Sequence, residues 1–140
     1  MAEGAVGRKL LLKKNSTVLA GLRNVTVSKG DTSINVTSGE NDGIQCLLSE
    51  SAEQMITITF DGIEKDNILK NIAFDTTADK MLDDIEIEFP IFVTGNTTPA
   101  TITGNFRLGP FELGSPYNDA ITFSSTLDSS GDWVYTPEAA

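Results

Sequence analysis

The chain contains no histidine and a single cysteine, Cys46. Without imidazole it lacks the commonest general base and the commonest metal ligand. One thiol can form neither an internal disulfide nor a cysteine zinc site. Positive charge is scarce as well: 10 Lys and Arg stand against 20 Asp and Glu, a net charge of -10. Such a chain repels phosphate polymers, which argues against nucleic-acid binding by charge neutralisation. Long apolar runs are missing too. Nothing approaches the ~20 residues of a membrane-spanning helix. Leu10-Leu11-Leu12, flanked by Arg8-Lys9 and Lys13-Lys14, is too short for the apolar core of a signal peptide. Synthesis and assembly in the cytoplasm, with no membrane partner, is the expectation.

What the chain has is Thr, Ser, Asn and Gly, the last counting 12 in 140 residues, with 39% hydrophobic residues. That length suits one domain able to bury a core without a staple. The mixture suits short strands joined by turns. Residues 1–7 read as a flexible arm and 8–14 as a first strand, followed by a turn at Asn15-Ser16. Val25 and Val27 alternate with Thr26 and Ser28, and Ile34 with Val36 continues the alternation. Gly30-Asp31 between them predicts a hairpin turn. Residues 37–52 gather breakers around the small apolar set Ile44, Leu47 and Leu48. They predict a projecting loop whose apolar patch needs a partner, since loops beyond about 12–15 residues are uncommon in compact domains. Met55 to Ile63 is a strongly alternating strand. Residues 66–75 change to helical spacing, with Ile68, Leu69, Ile72 and Ala73 on one face and Asp66 as N-cap. Asp84 to Phe89 returns to alternation. Residues 101–113 read as strands bent at Gly109-Pro110. Ala120 to Leu127 is a last strand, and 128–140 reads as a polar tail of which 132–140 has little capacity to fold alone. About seven or eight strands and one short helix predict a mainly β sandwich or barrel.

Candidate sites are few. Asp84, Glu86 and Glu88 fall on one face of a strand. A carboxylate pair for glycoside hydrolysis or a hard-cation site is one reading, and a solvated acidic face is the other. Asp42-Gly43 and Asp128 to Asp132 loosely suggest calcium loops but lack EF-hand spacing, and turns explain them better. Asn15, Asn24, Asn35 and Asn96 each open an N-x-[S/T] sequon, which reflects Asn and Thr richness in a chain without a signal peptide. Trp133 and Tyr135 fit either sugar stacking or packing, and packing is the ordinary outcome.

Several short segments resemble, in order, the major tail tube proteins of long non-contractile phage tails, including the gene transfer agent tubes. Gly7-Arg8-Lys9-Leu10-Leu11-Leu12-Lys13 is similar to that family's first strand, and Ala20-Gly21-Leu22-Arg23 to its corner. Ile34-Asn35-Val36-Thr37-Ser38, followed by an acidic loop and Leu47-Leu48, resembles its strand end. Gly62-Ile63-Glu64-Lys65-Asp66, Phe89-Pro90, Ile102 to Phe106 and Phe123 to Gly131 continue the likeness, which covers residues 7–131. Asn35 stands where the family commonly has Asp, and Thr94 to Thr101 looks like a private loop.

The resemblance implies a structural subunit and no enzyme, with no cofactor and no metal. It implies a sandwich or barrel with one flanking helix, and six copies closing into a ring around a continuous inner barrel. Stacked rings would form a tube in a virion tail, assembled in the bacterial cytoplasm beside tape-measure, tail terminator and distal tail proteins. Double-stranded DNA would pass through without specific binding. On that reading Glu40, Asp42, Ile44, Leu47, Leu48 and Trp133 are expected at contacts between subunits, and Asp84, Glu86 and Glu88 on the lumen wall. The alternatives are a tube or ring protein of a secretion system or baseplate, and a carbohydrate-binding or adhesive β-sandwich.

Overall fold

The computed structural model describes residues 10–19, 22–65 and 67–140. The arm expected over residues 1–7 and the N-cap expected at Asp66 lie outside these. Seven strands form one sheet with every pair antiparallel: β1 (Leu11–Lys14), β2 (Thr17–Val18), β3 (Leu22–Asn35), β4 (Leu47–Ile63), β5 (Met81–Glu88), β6 (Thr101–Gly114) and β7 (Thr122–Thr136). Their order across the sheet is β2-β1-β5-β6-β7-β4-β3. A single α-helix, α1 (Ile68–Phe74), links β4 to β5. The expected mainly β fold with one flanking helix is what the chain adopts.

Local sequence explains most of these elements. Asn15 and Ser16 both take positive φ, 52° and 63°, which suits a tight hairpin turn between β1 and β2. β4 alternates because Ile56, Ile58 and Phe60 are all buried while Thr59 and Asp61 face away from the core. α1 turns Leu69 inward, with Ile68, Ile72 and Ala73 packed beside it. Lys80 holds its C-terminal end, the Nζ donating to the Ile72 carbonyl in the last turn and to the Asp75 and Ala78 carbonyls beyond it. Just beyond the helix the Thr77 hydroxyl and amide both donate to the Asp75 carboxylate and hold its pKa below the ordinary value.

One cluster forms the core, drawing Leu12 from β1, Ile56, Ile58 and Phe60 from β4, Ile85 and Ile87 from β5, Phe106 and Leu108 from β6, and Leu127 from β7. Phe60, Phe123, Phe111 and Phe74 form a chain of rings with centroids 5.8–6.2 Å apart, leading from the core out to the exposed Phe74. β6 carries the bend expected at Gly109-Pro110, as a register shift between Leu108 and Phe111. There the buried Ser125 hydroxyl donates to the Pro110 carbonyl at 2.7 Å. A Cβ at Gly109 would stand 3.1 Å from the Thr126 carbonyl oxygen, a tight approach that the glycine avoids.

Three expectations are corrected. Gly30-Asp31 is no turn: β3 runs straight through it, and Gly30 lies opposite Met55. A Cβ there would come within 3.0 Å of the Met55 side chain, so the glycine makes room across the ladder. The loop expected at 37–52 is shorter, because Asn35 already pairs with Leu47 and the strand takes in Leu47 and Leu48. The polar tail from residue 128 is largely strand. β7 continues to Thr136, and Ala139 then bridges Thr98.

Candidate assembly surfaces

The sheet forks. β7 pairs with β4 only from Thr122 to Asp128. Past that point β7 stays with β6, while β4 back to Leu47 stays with β3 alone. The last tie across the fork is the Ile56 amide donating to Ser129 Oγ at 2.8 Å. The distal halves of β3 and β4 therefore stand off as a two-stranded arm. From Leu47 to Met55 every residue but Ser51 is exposed, on both faces of the strand. A 17-residue strand is roughly 55 Å long.

The tip of the arm is closed by its own bonds. The Val36 amide donates to the Cys46 carbonyl at 3.0 Å, and the Cys46 amide to Thr37 Oγ1 at 2.8 Å. Ser38 and Asn41 form a reciprocal cap on a 3-10 turn at Gly39–Asn41. Glu40 sits on that turn, and Asp42 closes it in the left-handed conformation, φ 53°. Asp42-Gly43 is thus a turn, as its residue types suggested. Around this scaffold Ile44 is 70% exposed and Val36, Leu47 and Leu48 are 45–47% exposed. Five of the six expected contact residues, Glu40 to Leu48, come together on the arm.

Trp133 does not join them. It lies on β7 opposite Gly104 and packs partly buried against the core. A Cβ on Gly104 would approach Trp133 Cβ at 3.0 Å, so the glycine lets the indole side chain lie close over β6. Packing is the role Trp133 fills within the chain. Tyr135 and Val134, further along β7, are 56% and 62% exposed.

The acidic row lies on β5 with Ile85 and Ile87 turned to the core on the other face. A bare solvated face was expected, and here the structure corrects the reading. β1 is the neighbouring strand. Lys13 Nζ is 3.0 Å from Glu88 and 3.9 Å from Glu86, and Lys14 Nζ is 3.0 Å from Asp84. The carboxylates are only 26–32% exposed, so three negative charges meet two positive ones. Asp84 Oδ1 is buried without a hydrogen-bond partner.

The sequon asparagines serve the fold. Asn24 donates to Asp61, Asn35 accepts from the Thr37 amide, and Asn96 donates to Glu138. Glu138 also accepts from the Phe92 and Val93 amides, and these bonds hold its pKa below the usual glutamate value of 4.5. Asp128 accepts from the Thr57 hydroxyl at 3.1 Å and lies opposite Arg107. Among the described residues no three of His, Cys, Asp or Glu converge on a metal position. No helix among them is long and apolar enough to cross a membrane. Sequence reasoning also missed the end of the molecule remote from the arm. There Tyr117 is 99% exposed, beside Leu113 at 39% and Ile121 at 48%.

An antiparallel β body with unpartnered apolar surfaces at both ends is the layout of a protein built to assemble with copies or partners. The chain belongs to the phage tail tube protein family, whose pattern it matches over residues 8–135. It is a structural tail tube subunit of the virion tail. No curated protein sequence matches it. Among solved structures it is similar to the tail of an empty gene transfer agent particle, determined by helical refinement with C6 symmetry. The TM-score is 0.75 at 23% identity, covering 95% of this chain and 99% of that one. The virion of a native gene transfer agent particle gives a TM-score of 0.73 at 21% identity over the same shares. These likenesses carry the fold.

Proposed function

We propose that six copies of this tail tube subunit close into a ring, that rings stack into a hollow tube, and that genome DNA passes through it without specific binding. The subunit does no catalysis. It assembles in the bacterial cytoplasm, with tape-measure, tail terminator and distal tail proteins as partners. The observation that carries this reading is the arm: a hydrogen-bonded hairpin with both faces exposed and Ile44, Leu47 and Leu48 at its tip. Such an element buries almost nothing within its own chain, and an exposed apolar cluster marks an interaction site. Six-fold symmetry is taken from the similar gene transfer agent tail. Deleting residues 40–48 should leave a folded monomer that cannot polymerise, seen as a normal melting curve with no tubes in negative stain. Normal tubes from that deletion would sink the reading.

Asp84, Glu86 and Glu88 face the lumen in this proposal. A repulsive wall eases DNA passage, and repulsion acts over about 8 Å at physiological salt. With Lys13 and Lys14 in the row, the wall keeps one net negative charge per subunit here, which makes the repulsion weaker than three bare carboxylates would give. Particles carrying Glu86→Gln and Glu88→Gln should retain DNA in the tail. A tube reconstruction with these side chains on the outer wall excludes the assignment.

A further inference from the structure

The stretch from Phe89 to Ala100 joins β5 to β6 without a strand of its own, and it is tied to the segment that follows β7. A turn closes it at Val93–Asn96, where the Asn96 amide donates to the Val93 carbonyl and Gly95 takes φ 98°. Five further donors leave the loop. The Phe92 amide donates to Glu138 Oε1 at 2.7 Å, and the Val93 amide to Oε2 at 3.0 Å. Asn96 Nδ2 donates to the same Oε2 at 2.6 Å. The Thr97 and Thr98 amides both donate to the Ala139 carbonyl, and the Ala139 amide donates back to the Thr98 carbonyl. All five donors thus end on two residues, Glu138 and Ala139.

This is the chemistry of an anion receptor. Amides of successive residues that converge on one oxyanion form a concavity that captures carboxylates. An ionised carboxylate has two oxygens, both acceptors only. Glu138 spends one on Phe92 and the other on Val93 and Asn96. A side-chain amide in its place would offer a single oxygen and set an N–H against a donor. No Lys or Arg lies between Phe89 and Phe106, so the loop holds the charge with N–H groups and no cation of its own.

The occupant is held by little else. Past Thr136 every hydrogen bond of the segment, among the described residues, goes to this loop. Of Pro137 to Ala140 only Glu138 is half-buried, and the others are exposed. The segment also leaves the apolar side of the loop open, since Ile91, Phe92 and Val93 stay 37–45% exposed.

We propose that residues 91–98 form a receptor for an extended peptide carrying a glutamate, and that residues 137–140 are a strap that fills it in cis. The glutamate takes the Phe92, Val93 and Asn96 donors, and the residue after it pairs with Thr98. An outside peptide of the same kind gains the site only when the strap leaves, so the receptor is autoinhibited. The loop keeps its shape only while a carboxylate is seated.

Hydrogen exchange on the full chain carrying Glu138→Ala and Ala139→Pro tests this. The pair removes the carboxylate and the amide that bonds Thr98, at positions beyond the last strand. The Phe92 and Val93 amides should lose their protection while β4 and β7 keep theirs. Adding the peptide Thr-Pro-Glu-Ala-Ala, the sequence of residues 136–140, should restore the protection in a saturable way. Thr-Pro-Gln-Ala-Ala should not. Protection that persists at Phe92 and Val93 without peptide overturns the strap. Failure of the glutamate peptide to restore it, or equal restoration by the glutamine peptide, overturns the receptor. Protection lost throughout β4 and β7 makes the strap part of the folded body and overturns the proposal as well. The single variant Glu138→Gln gives an independent check: it should bind the glutamate peptide more weakly than the double variant, because its Ala139 still pairs with Thr98, and tighter binding overturns the competition between strap and peptide.

Discussion

The two halves of β4 make an instructive pair. From Ile56 onward the strand lies between β3 and β7, and Ile56, Ile58 and Phe60 are at most 2% exposed. From Leu47 to Met55 the same strand pairs with β3 on one side and with no strand on the other, where a recess separates Ser51–Gln54 from Gly131–Trp133 of β7. Its backbone bonds to β3 are of the same kind in both halves, so hydrogen bonding does not distinguish them. Apolar burial does. The body draws its stability from side chains inside one chain, while the arm keeps its shape by its ladder and its capped tip and leaves its apolar groups unspent. An isolated two-stranded ribbon is marginal in water, and this one is anchored at its root by the body.

The largest effect expected from that contrast comes from paired truncations. Phe106→Ala, at a side chain 0% exposed, should cost about 3–5 kcal/mol of folding stability. Leu48→Ala on the arm should change it by less than about 0.5 kcal/mol. Urea denaturation of both variants checks this, and a large loss from Leu48→Ala would mean the arm is part of the core after all. A smaller effect is expected at the bend of β6. Ser125→Ala removes the donor to the Pro110 carbonyl and should cost about 0.5–1.5 kcal/mol. If the melting curve does not move, water or a local shift has replaced the hydroxyl.

The smallest effect concerns the chain end, which behaves like body where its polarity suggested a free tail. Glu138 has a lowered pKa, so the ionised carboxylate is the form that binds the Phe92 and Val93 amides. Its contribution is present above the ordinary value of 4.5 and is lost as pH falls through the lower folded value. Exchange protection of the Ala139 amide, which donates to the Thr98 carbonyl, should fall in that acidic window. In Glu138→Gln the protection should be lower at pH 7 and show no such step. Unchanged protection in both would mean the Thr98–Ala139 bridge holds the end unaided.

Much of the body was legible in the residues. The alternation of Ile56, Ile58 and Phe60, the helical spacing of Ile68, Leu69 and Ile72, the Asn15-Ser16 turn and the Gly109-Pro110 bend are local signals, and each is realised. The errors share a cause. Gly30-Asp31 has turn-forming residues, but in the sheet Gly30 lies opposite Met55, whose side chain fills the space beside it, and a partner 25 positions away leaves no local mark. The far half of β7 is polar because much of it meets solvent, and its strand character comes from pairing with β6. The acidic row looked bare because Lys13 and Lys14 reach it from about 70 residues away in the chain.

The sequence by itself determined a histidine-free, acidic, mainly β protein with one helix, and its ordered segments already resembled the tail tube family. These follow from composition and from side-chain period, which act over a few residues. The tertiary structure alone decided where the sheet forks, which lysines temper the acidic strand, that Trp133 packs on its own core, and that a second apolar cluster around Tyr117 stands at the end opposite the arm. Each of these depends on which strand lies beside which, and pairing partners distant in the chain are set by the burial of a shared core and not by any neighbouring residue.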